Sequence, residues 1–209
     1  MIQYDFPRPA VTVDLVAFRV QQDTLELLLI ERDQPPFAGR WTLPGAFVHE
    51  NEPLETTASR ILQEKAHLEG IYLEQLATFG KPGRDPRGHV LSVAYFAIVN
   101  AATVDEGKTH WFSVDALPET GFDHDDIIAT AVQRLRGKLT YTDIGFAFLP
   151  DTFTLTELQK TWQAVLGTPL DKRNFRKSIL SQQRVVATGE KSSGGAHPPA
   201  MLYRWQPER

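Results

Sequence analysis

The chain has 209 residues and a mass of 23.5 kDa, which is enough for one large domain or two small ones. Hydrophobic residues make up 42% of the chain and charged residues 23%, a balance that is typical of folded globular proteins and excludes a disordered or collagen-like chain. The sequence contains no cysteine, which excludes disulfides, a thiol nucleophile and thiolate metal sites, and its net charge is −4.

The N-terminal residues 1–5 lack the basic and apolar blocks of a signal peptide, so we expect a cytoplasmic protein. The longest apolar stretch, Val90 to Val99, is interrupted by Ser92 and is well short of the ~20 residues that cross a bilayer. We therefore expect neither a membrane span nor a membrane partner.

The first part of the chain predicts strands mixed with helices. Two runs rich in Val, Leu, Ile and Phe, 11–20 and 25–32, flank the polar turn 21–24 and predict a β-hairpin. Apolar residues then recur at helical spacing after Pro53, which predicts a helix over about 53–67. The remaining predicted elements are strands at 71–79, 89–99 and 109–113 and a helix at 124–137. This alternation favours an α+β or α/β sandwich.

The pattern changes after Pro150. Thr154 and Glu157 have the spacing of a capping box, and an apolar helical face follows them. Gly167 is placed to end this helix. Asp171 is then placed to cap a second helix, so the two helices and the short turn between them predict a helix-turn-helix. Two short strands, 185–188 and 201–205, surround the loop 189–199 and predict a wing.

Positive charge concentrates in this last part of the chain. Residues 151–209 contain nine Lys or Arg and five Asp or Glu, a balance of +4, which leaves −8 for the first 150 residues. A basic C-terminal part favours a polyanionic partner for that part alone, although ordinary variation of surface charge is the alternative interpretation.

The segment 41–68, WTLPGAFVHENEPLETTASRILQEKAHL, resembles the Nudix box, whose pattern is G-x5-E-x7-R-E-U-x-E-E-x-G-U with U apolar. Ala46 stands at the first glycine of that pattern. The positions that the sequence keeps are Glu52, Arg60, Leu62, Glu64 and Leu68.

The departures from the pattern fall on the metal-binding positions. In the box, several carboxylates on one helix face hold magnesium against a diphosphate, because hard divalent cations require oxygen ligands. Ile61 and Lys65 replace two of the glutamates, and His67 replaces the last glycine. We therefore expect a Nudix fold without catalytic residues, bound metal or cofactor, although Glu52 and Glu64 leave residual hydrolysis open.

The loop 83–88 and the strand after it look like the segment that follows the box in ADP-ribose-type Nudix proteins. Arg84 and Arg87 are held by glycine and proline turns and suit forked hydrogen bonds to phosphates; the alternative is a surface turn with solvated charges. Lys65 is a candidate to supply part of the positive charge that magnesium supplies in the Nudix hydrolases. The predicted effector-binding residues are Arg40, Gly45, Glu52, Glu64, Lys65, Arg84, Asp85 and Arg87.

The second helix of the predicted helix-turn-helix has the composition of a DNA-reading helix. In winged helix proteins this helix enters the major groove, where arginine pairs with guanine and asparagine with adenine. Thr154 or Thr156, at the start of the preceding helix, is placed to meet a phosphate through backbone N–H groups. The alternative is a solvated basic helix in a protein interface. The predicted DNA-binding residues are Thr154, Thr156, Lys172, Arg173, Asn174, Arg176, Lys177 and Lys191.

Other polar residues have simpler interpretations. The six histidines lack a close metal-type spacing, so they are expected to be caps or surface groups. The acidic cluster 123–126 at a helix start is expected to cap that helix and to interact with its dipole. Arg60 and Glu64 are four residues apart and are expected to form an ion pair on one helix face.

Taken together, a Nudix-like domain (1–137) and a winged helix domain (138–209) resemble the Nudix-related transcriptional regulators, which are best known as repressors of NAD metabolism. The resemblance implies a homodimer that binds double-stranded DNA at a palindromic operator and responds to ADP-ribose or a related metabolite. Some members respond to a sugar such as arabinose. The rival functions are an active Nudix hydrolase of ADP-ribose and a module that binds an acidic protein.

Overall fold

The computed structural model describes residues 6–66, 72–100, 109–192 and 198–207. The N-terminal part of this structure contains seven strands and two helices. The strands are β1 (Ala10–Gln21), β2 (Thr24–Glu31), β3 (Trp41–Thr42), β4 (Gly45–Phe47), β5 (Tyr72–Phe79), β6 (Val90–Ile98) and β7 (Thr109–Ser113). The helices are α1 (Leu54–Ile61), which continues into a π-helical turn (Leu62–Ala66), and α2 (His124–Leu139).

The strands form one mixed sheet in the order β3-β2-β1-β6-β5, with β4 paired to β1 and β7 paired to β2. The central pair β1 and β6 is parallel, with Ala10 opposite Val90, and the other pairs are antiparallel. The parallel pair lies in the middle of the sheet, where both faces are covered.

Side-chain alternation along β1 explains why a helix covers each face of the sheet. Val13, Leu15 and Ala17 belong to one apolar cluster, which contains the buried face of α1. Val16 and Phe18 point to the other face and belong to the cluster that contains the buried face of α2. The sandwich of strands and helices expected from the sequence is therefore confirmed, and its form is a Nudix-type α/β/α sandwich with a mixed sheet.

The predicted hairpin is confirmed. Gln21 pairs with Thr24, and the two residues between them, Gln22 and Asp23, have φ angles of 47° and 63°. Two consecutive positive φ angles are typical of a type I′ turn, whose twist matches that of the flanking strands.

The helix predicted at 53–67 begins at Leu54, with Pro53 at the capping position, and its regular α-helical part ends at Ile61. The chain continues in the wider π-helical turn up to Ala66. The last predicted position, His67, lies outside the described residues.

The C-terminal part contains β8 (Phe153–Thr154), α3 (Leu155–Leu166), α4 (Lys172–Ser181), β9 (Val185–Lys191) and β10 (Met201–Trp205), with the sheet order β8-β10-β9. The capping box is confirmed, since the Thr154 hydroxyl accepts from the Glu157 N–H and the Glu157 carboxylate accepts from the Thr154 N–H. Gly167 ends α3 in the left-handed conformation, and the Asp171 carboxylate caps α4. The winged helix-turn-helix is confirmed, with β9 three residues longer than expected.

The two parts share one apolar core instead of being joined by an exposed linker. α2 continues across position 137 to Leu139, and the following residues form a 3-10 helix (Ile144–Phe148) with a largely buried apolar surface. A Cβ on Gly145 would lie 2.4 Å from the Trp162 ring, so α3 packs directly against this segment. The predicted domain boundary at 137/138 falls inside α2 and remains a prediction.

Polar contacts also join the two parts. The Arg136 guanidinium donates to the Val165 carbonyl near the end of α3 at 2.9 Å, and the Lys160 ammonium lies 2.7 Å from the Asp23 carboxylate at the tip of the hairpin. None of the helices in the described ranges is long and apolar enough to cross a membrane.

Candidate ligand pocket and nucleic-acid interface

A cleft of about 170 Å³ opens between β1, β2, β4, the loop 83–88 and the first residues of α2. Four cationic side chains of the described residues line this cleft, and two carboxylates lie among them. The cations are Arg32, Lys65, Arg84 and Arg87, and the carboxylates are Asp14 and Asp85. The lining therefore has an excess of positive charge, which favours an anionic ligand.

Arg84 is buried at the bottom of the cleft and is held by carboxylates. Its Nε and Nη2 atoms donate to the two Asp123 carboxylate oxygens at 2.8 and 2.6 Å. Its Nη2 atom also lies 3.7 Å from the Asp14 carboxylate, which accepts from the Ser92 hydroxyl at 2.5 Å. A buried guanidinium is tolerated here because paired carboxylates compensate its charge.

Gly45 makes room for this network. A Cβ at Gly45 would lie 2.1 Å from a carboxylate oxygen of Asp14, a distance that no side chain tolerates. A glycine on β4 therefore lets the Asp14 carboxylate lie close to the neighbouring backbone.

Arg87 lies at the mouth of the cleft between two aromatic rings. Its guanidinium carbon is 5.1 Å from the centre of the Phe47 ring and 5.5 Å from that of Phe122. It donates to both oxygens of Asp85, and these hydrogen bonds lower the pKa of the Asp85 carboxyl and raise that of Arg87. Phe122 has a φ of 60°, a strained conformation that occurs preferentially at functional sites.

Lys65 and Arg32 bind backbone carbonyls within the described structure. The Lys65 ammonium donates to the Gly45 carbonyl, and the Arg32 Nε atom donates to the Pro36 carbonyl at 2.6 Å. Burial lowers the pKa of both side chains. These two cations thus add positive charge to the cleft while hydrogen-bonding to neutral groups.

Two expectations about the start of α2 are wrong. His124 is neither a cap nor a surface group: it is buried, and its Nδ1 atom accepts from the Leu43 N–H at 2.9 Å. Burial lowers the pKa of this imidazole. Asp123 stands at the capping position, but its carboxylate makes no capping hydrogen bond and instead binds Arg84.

The carboxylates kept from the Nudix box do not point into the cleft. Both Glu52 oxygens accept from Arg60 at 2.8 and 2.9 Å, and these hydrogen bonds lower the pKa of Glu52 to about 2. Glu64 is more than half exposed and lies 3.6 Å from the same guanidinium, which is the expected i,i+4 pair. Ile61 is fully buried in the core below.

This donor set does not fit a magnesium ion. The Glu52 carboxylate is already neutralised, Ile61 offers no oxygen, and Lys65 is a cation. Among the residues that the structure describes, no group of three metal-ligating side chains comes together.

Five of the eight predicted effector-binding residues line the cleft: Gly45, Lys65, Arg84, Asp85 and Arg87. The other three lie outside its lining. Arg40 is largely exposed and binds Glu119, and Glu52 and Glu64 bind Arg60.

Several residues of the cleft lining were not predicted from the sequence, chiefly Asp14, Arg32, Phe47, Phe122 and His124. One signal was available for Asp14, since a carboxylate interrupts an otherwise apolar strand. Nothing local singled out the others.

In the winged helix domain, α4 has a core face and a charged face. Phe175 packs on the Trp162 ring at 6.2 Å and Ile179 is buried. Four predicted DNA-binding residues of α4 are exposed, namely Lys172, Arg173, Asn174 and Lys177. Lys191 is exposed at the end of β9, on the wing.

The remaining candidates are more constrained. Arg176 is half-buried and donates to the Thr156 hydroxyl at 3.1 Å, so it links α4 to the start of α3. Thr154 is buried, and its N–H donates to Glu157 at 2.7 Å. The expectation that this N–H meets a phosphate is therefore wrong, and exposed Thr156 remains the candidate at this helix start.

Two family models match separate parts of the chain. Residues 8–131 match the NUDIX domain, and residues 145–205 match the NrtR DNA-binding winged helix domain.

Two curated relatives are informative. The ADPR responsive transcriptional repressor NtrR of Acinetobacter baylyi is 38% identical over 96% of this chain and 84% of its own length. An ADP-ribose pyrophosphatase of Methanocaldococcus jannaschii is 35% identical over 57% of this chain and 71% of its own length.

Two solved structures are similar to this chain. Shewanella oneidensis NrtR in complex with a 27mer DNA superposes with a TM-score of 0.84 at 33% identity, and the match covers 94% of this chain and 93% of that one. The NUDIX domain of the same protein in complex with ADP ribose matches with a TM-score of 0.56 at 36% identity over 63% of this chain and 94% of that one.

Proposed function

The chain belongs to the family of Nudix-related transcriptional regulators that includes the NrtR repressors, and on that premise we propose that it is a DNA-binding repressor responsive to ADP-ribose. One observation carries the proposal: a relative named as an ADPR responsive repressor aligns with 96% of this chain, across both domains. The fold agrees, since a homologous NrtR bound to DNA superposes on nearly the whole structure.

The cleft has the charge that a diphosphate ligand requires. ADP-ribose carries two adjacent phosphates, and guanidinium groups bind such oxygens through paired hydrogen bonds. Four cations face two carboxylates in the lining. Its volume of about 170 Å³ is below the range of about 300–1,000 Å³ that encloses whole drug-sized ligands, so the cleft holds one part of an elongated ligand.

The exposed face of α4 is the proposed reader of the DNA. Arg173 and Asn174 lie in its first turn, where residues of a recognition helix contact base edges, and Lys172 and Lys177 are placed for phosphates. Lys191 on the wing extends the same basic surface.

The proposed regulation requires ADP-ribose to bind one arrangement of the protein more tightly than another. A ligand with equal affinity for the DNA-competent and DNA-incompetent states shifts neither population. In a two-fold dimer, a change in the spacing of the two α4 helices would weaken both half-sites of a palindromic operator together. The dimer and the palindrome are part of this proposal.

We further propose that the Nudix domain senses its ligand without hydrolysing it. The proposal is supported by Ile61 and Lys65 at two glutamate positions of the box and by the engagement of Glu52 with Arg60. The rival is an active hydrolase, which is favoured by the relative named as an ADP-ribose pyrophosphatase.

The test combines two assays on the same preparation. A labelled fragment of the protein's own upstream region is titrated with the full chain, with and without ADP-ribose, and ADP-ribose with magnesium is assayed for AMP. The proposal expects a DNA complex that ADP-ribose weakens, and no AMP above background. AMP formation without a DNA complex would favour the hydrolase, and release by arabinose instead of ADP-ribose would place the chain with the sugar-responsive members.

Two variants test the DNA interface. Replacing Arg173 with alanine is expected to cost about 1–3 kcal/mol of affinity if this residue reads a guanine, and to relax specificity at one base pair. Replacing Lys177 with alanine is expected to weaken binding evenly across sequences and to reduce the salt dependence by about one unit of slope. Unchanged DNA affinity and unchanged salt dependence in both variants would rule out α4 as the reader.

A further inference from the structure

We propose that the Lys65 ammonium takes the place of magnesium in this pocket, so that the diphosphate of the ligand binds without a divalent cation. This inference rests on the proposed function, because it specifies how the cleft recognises ADP-ribose. It concerns one side chain at a position where the Nudix box has a metal-binding glutamate.

The Lys65 side chain lines the cleft and reaches it from the turn after α1. The helix α1 ends at Ile61, and the chain continues through the π-helical turn that contains Lys65. From there the ammonium reaches the carbonyl of Gly45 on β4, another residue of the cleft lining. An ammonium has three N–H donors, and this contact uses one of them, which leaves two for phosphate oxygens.

Of the four cations in the described cleft lining, Lys65 and Arg32 hydrogen-bond to carbonyls, and of these two Lys65 stands at a metal-binding position of the Nudix box. Arg84 is bound by the Asp123 carboxylate and Arg87 by that of Asp85, so both guanidinium charges are largely compensated before any ligand enters. Within the described residues, Lys65 hydrogen-bonds to a neutral carbonyl instead, although the Asp14 and Glu64 carboxylates also act on its charge. A neutral hydrogen-bond partner leaves more of its positive charge for a ligand than a paired carboxylate would.

The desolvation of Lys65 strengthens this effect. The side chain is partly buried, and burial lowers its pKa. An approaching phosphate would restore favourable electrostatics for the charged form, because an opposite charge nearby stabilises a buried ammonium. Ligand binding therefore relieves a cost that the free protein carries.

The same charges oppose a divalent cation. A magnesium ion at the former box position would lie beside an ammonium, and the Glu52 carboxylate that should neutralise the ion is bound through both oxygens to Arg60. In low-dielectric surroundings the repulsion between like charges is strong. Cationic side chains of the cleft thus take the place of a bound magnesium ion.

The experiment measures ADP-ribose binding to the full chain by isothermal titration calorimetry, once with EDTA and once with millimolar magnesium. We expect dissociation constants that agree within about a factor of two in the two buffers. Wild-type protein that binds only with magnesium would overturn the inference and leave the proposed function intact. Wild-type protein that binds in neither buffer would count against ADP-ribose as the effector, and thus against both.

Three variants locate the effect at Lys65. Lys65→Met keeps the length of the side chain, removes the charge, and is expected to weaken binding about tenfold or more in both buffers. Lys81→Met removes a charge from an exposed lysine outside the cleft lining and is expected to bind like wild type. Lys65→Glu reverses the charge at this position and is expected to bind poorly in EDTA.

Circular dichroism and thermal unfolding check that each variant is folded. Equal affinity of wild type, Lys65→Met and Lys65→Glu in EDTA would overturn the inference, because a charge in contact with the diphosphate cannot be removed or reversed without effect.

Discussion

Replacing Asp123 with asparagine tests whether the buried ion pair with Arg84 stabilises the site. The two side chains share two hydrogen bonds of 2.8 and 2.6 Å, and only 3% of the Arg84 side chain is exposed. Removing one partner of a buried ion pair costs about 3–5 kcal/mol, because the other charge is left uncompensated. The Asp14 carboxylate, 3.7 Å away, compensates part of that charge, and asparagine keeps one acceptor.

We therefore expect Asp123→Asn to lower the free energy of unfolding by about 2–3 kcal/mol. Urea unfolding of the ligand-free protein, followed by tryptophan fluorescence, measures this change. The matched controls are Arg84→Met and the double variant, which together close a double-mutant cycle. We expect a coupling energy of about 2 kcal/mol between the two positions.

If the losses of unfolding free energy in the two single variants add up to the loss in the double variant within about 0.5 kcal/mol, the two residues do not interact energetically and the ion pair does not stabilise the site. A loss of stability in Asp123→Asn with no coupling to position 84 would show that Asp123 stabilises the fold through contacts other than the ion pair with Arg84.

Three further changes test other parts of the structure. Gly145→Val places a branched side chain where a Cβ alone would approach an aromatic ring to 2.4 Å, so we expect a loss of about 2 kcal/mol or more in unfolding free energy and a lower melting temperature by calorimetry. The Glu52 carboxyl has its pKa lowered from 4.5 to about 2 by hydrogen bonds from Arg60, so its stabilising effect is complete above pH 4.5 and is lost as the pH falls towards 2. The urea midpoints of unfolding of wild type and Glu52→Gln, measured at a series of pH values, should therefore converge as the pH falls from 4.5 towards 2. A constant difference between the two midpoints over this pH range would contradict the lowered pKa of Glu52. Arg136→Gln removes a 2.9 Å hydrogen bond to the Val165 carbonyl of α3 and is expected to lower the unfolding free energy by about 1–2 kcal/mol. The control Arg134→Gln on the same helix removes contacts of 3.3 Å to the Leu76 carbonyl and 3.8 Å to Glu74, and should lower it by less than about 0.5 kcal/mol. Equal losses in the two variants would show that the contact to α3 does not contribute specifically.

Local patterns in the sequence were sufficient for most of the secondary structure and for the two-domain architecture. The nearly continuous apolar run along β1 is typical of a strand that is buried on both faces, and β1 has an apolar cluster with a helix on each side. The capping box at Thr154 and the cap at Asp171 were predictable because their hydrogen bonds join residues three apart. The substitutions Ile61 and Lys65 were readable because the box is a contiguous motif.

The composition of the cleft was decided by the tertiary structure. Asp14, Arg32 and His124 line the same cleft as Lys65 because the first half of β1, the end of β2, the turn after α1 and the start of α2 lie beside one another, and that arrangement depends on strand order and register between distant segments. The role of Asp123 shows the same limit: its position predicts a helix cap, but a buried guanidinium 39 residues earlier in the chain binds its carboxylate more strongly than the exposed N–H groups of the helix would. Periodicity and capping act between neighbours along the chain, whereas the pairing of charges in a cleft depends on which segments the fold brings together.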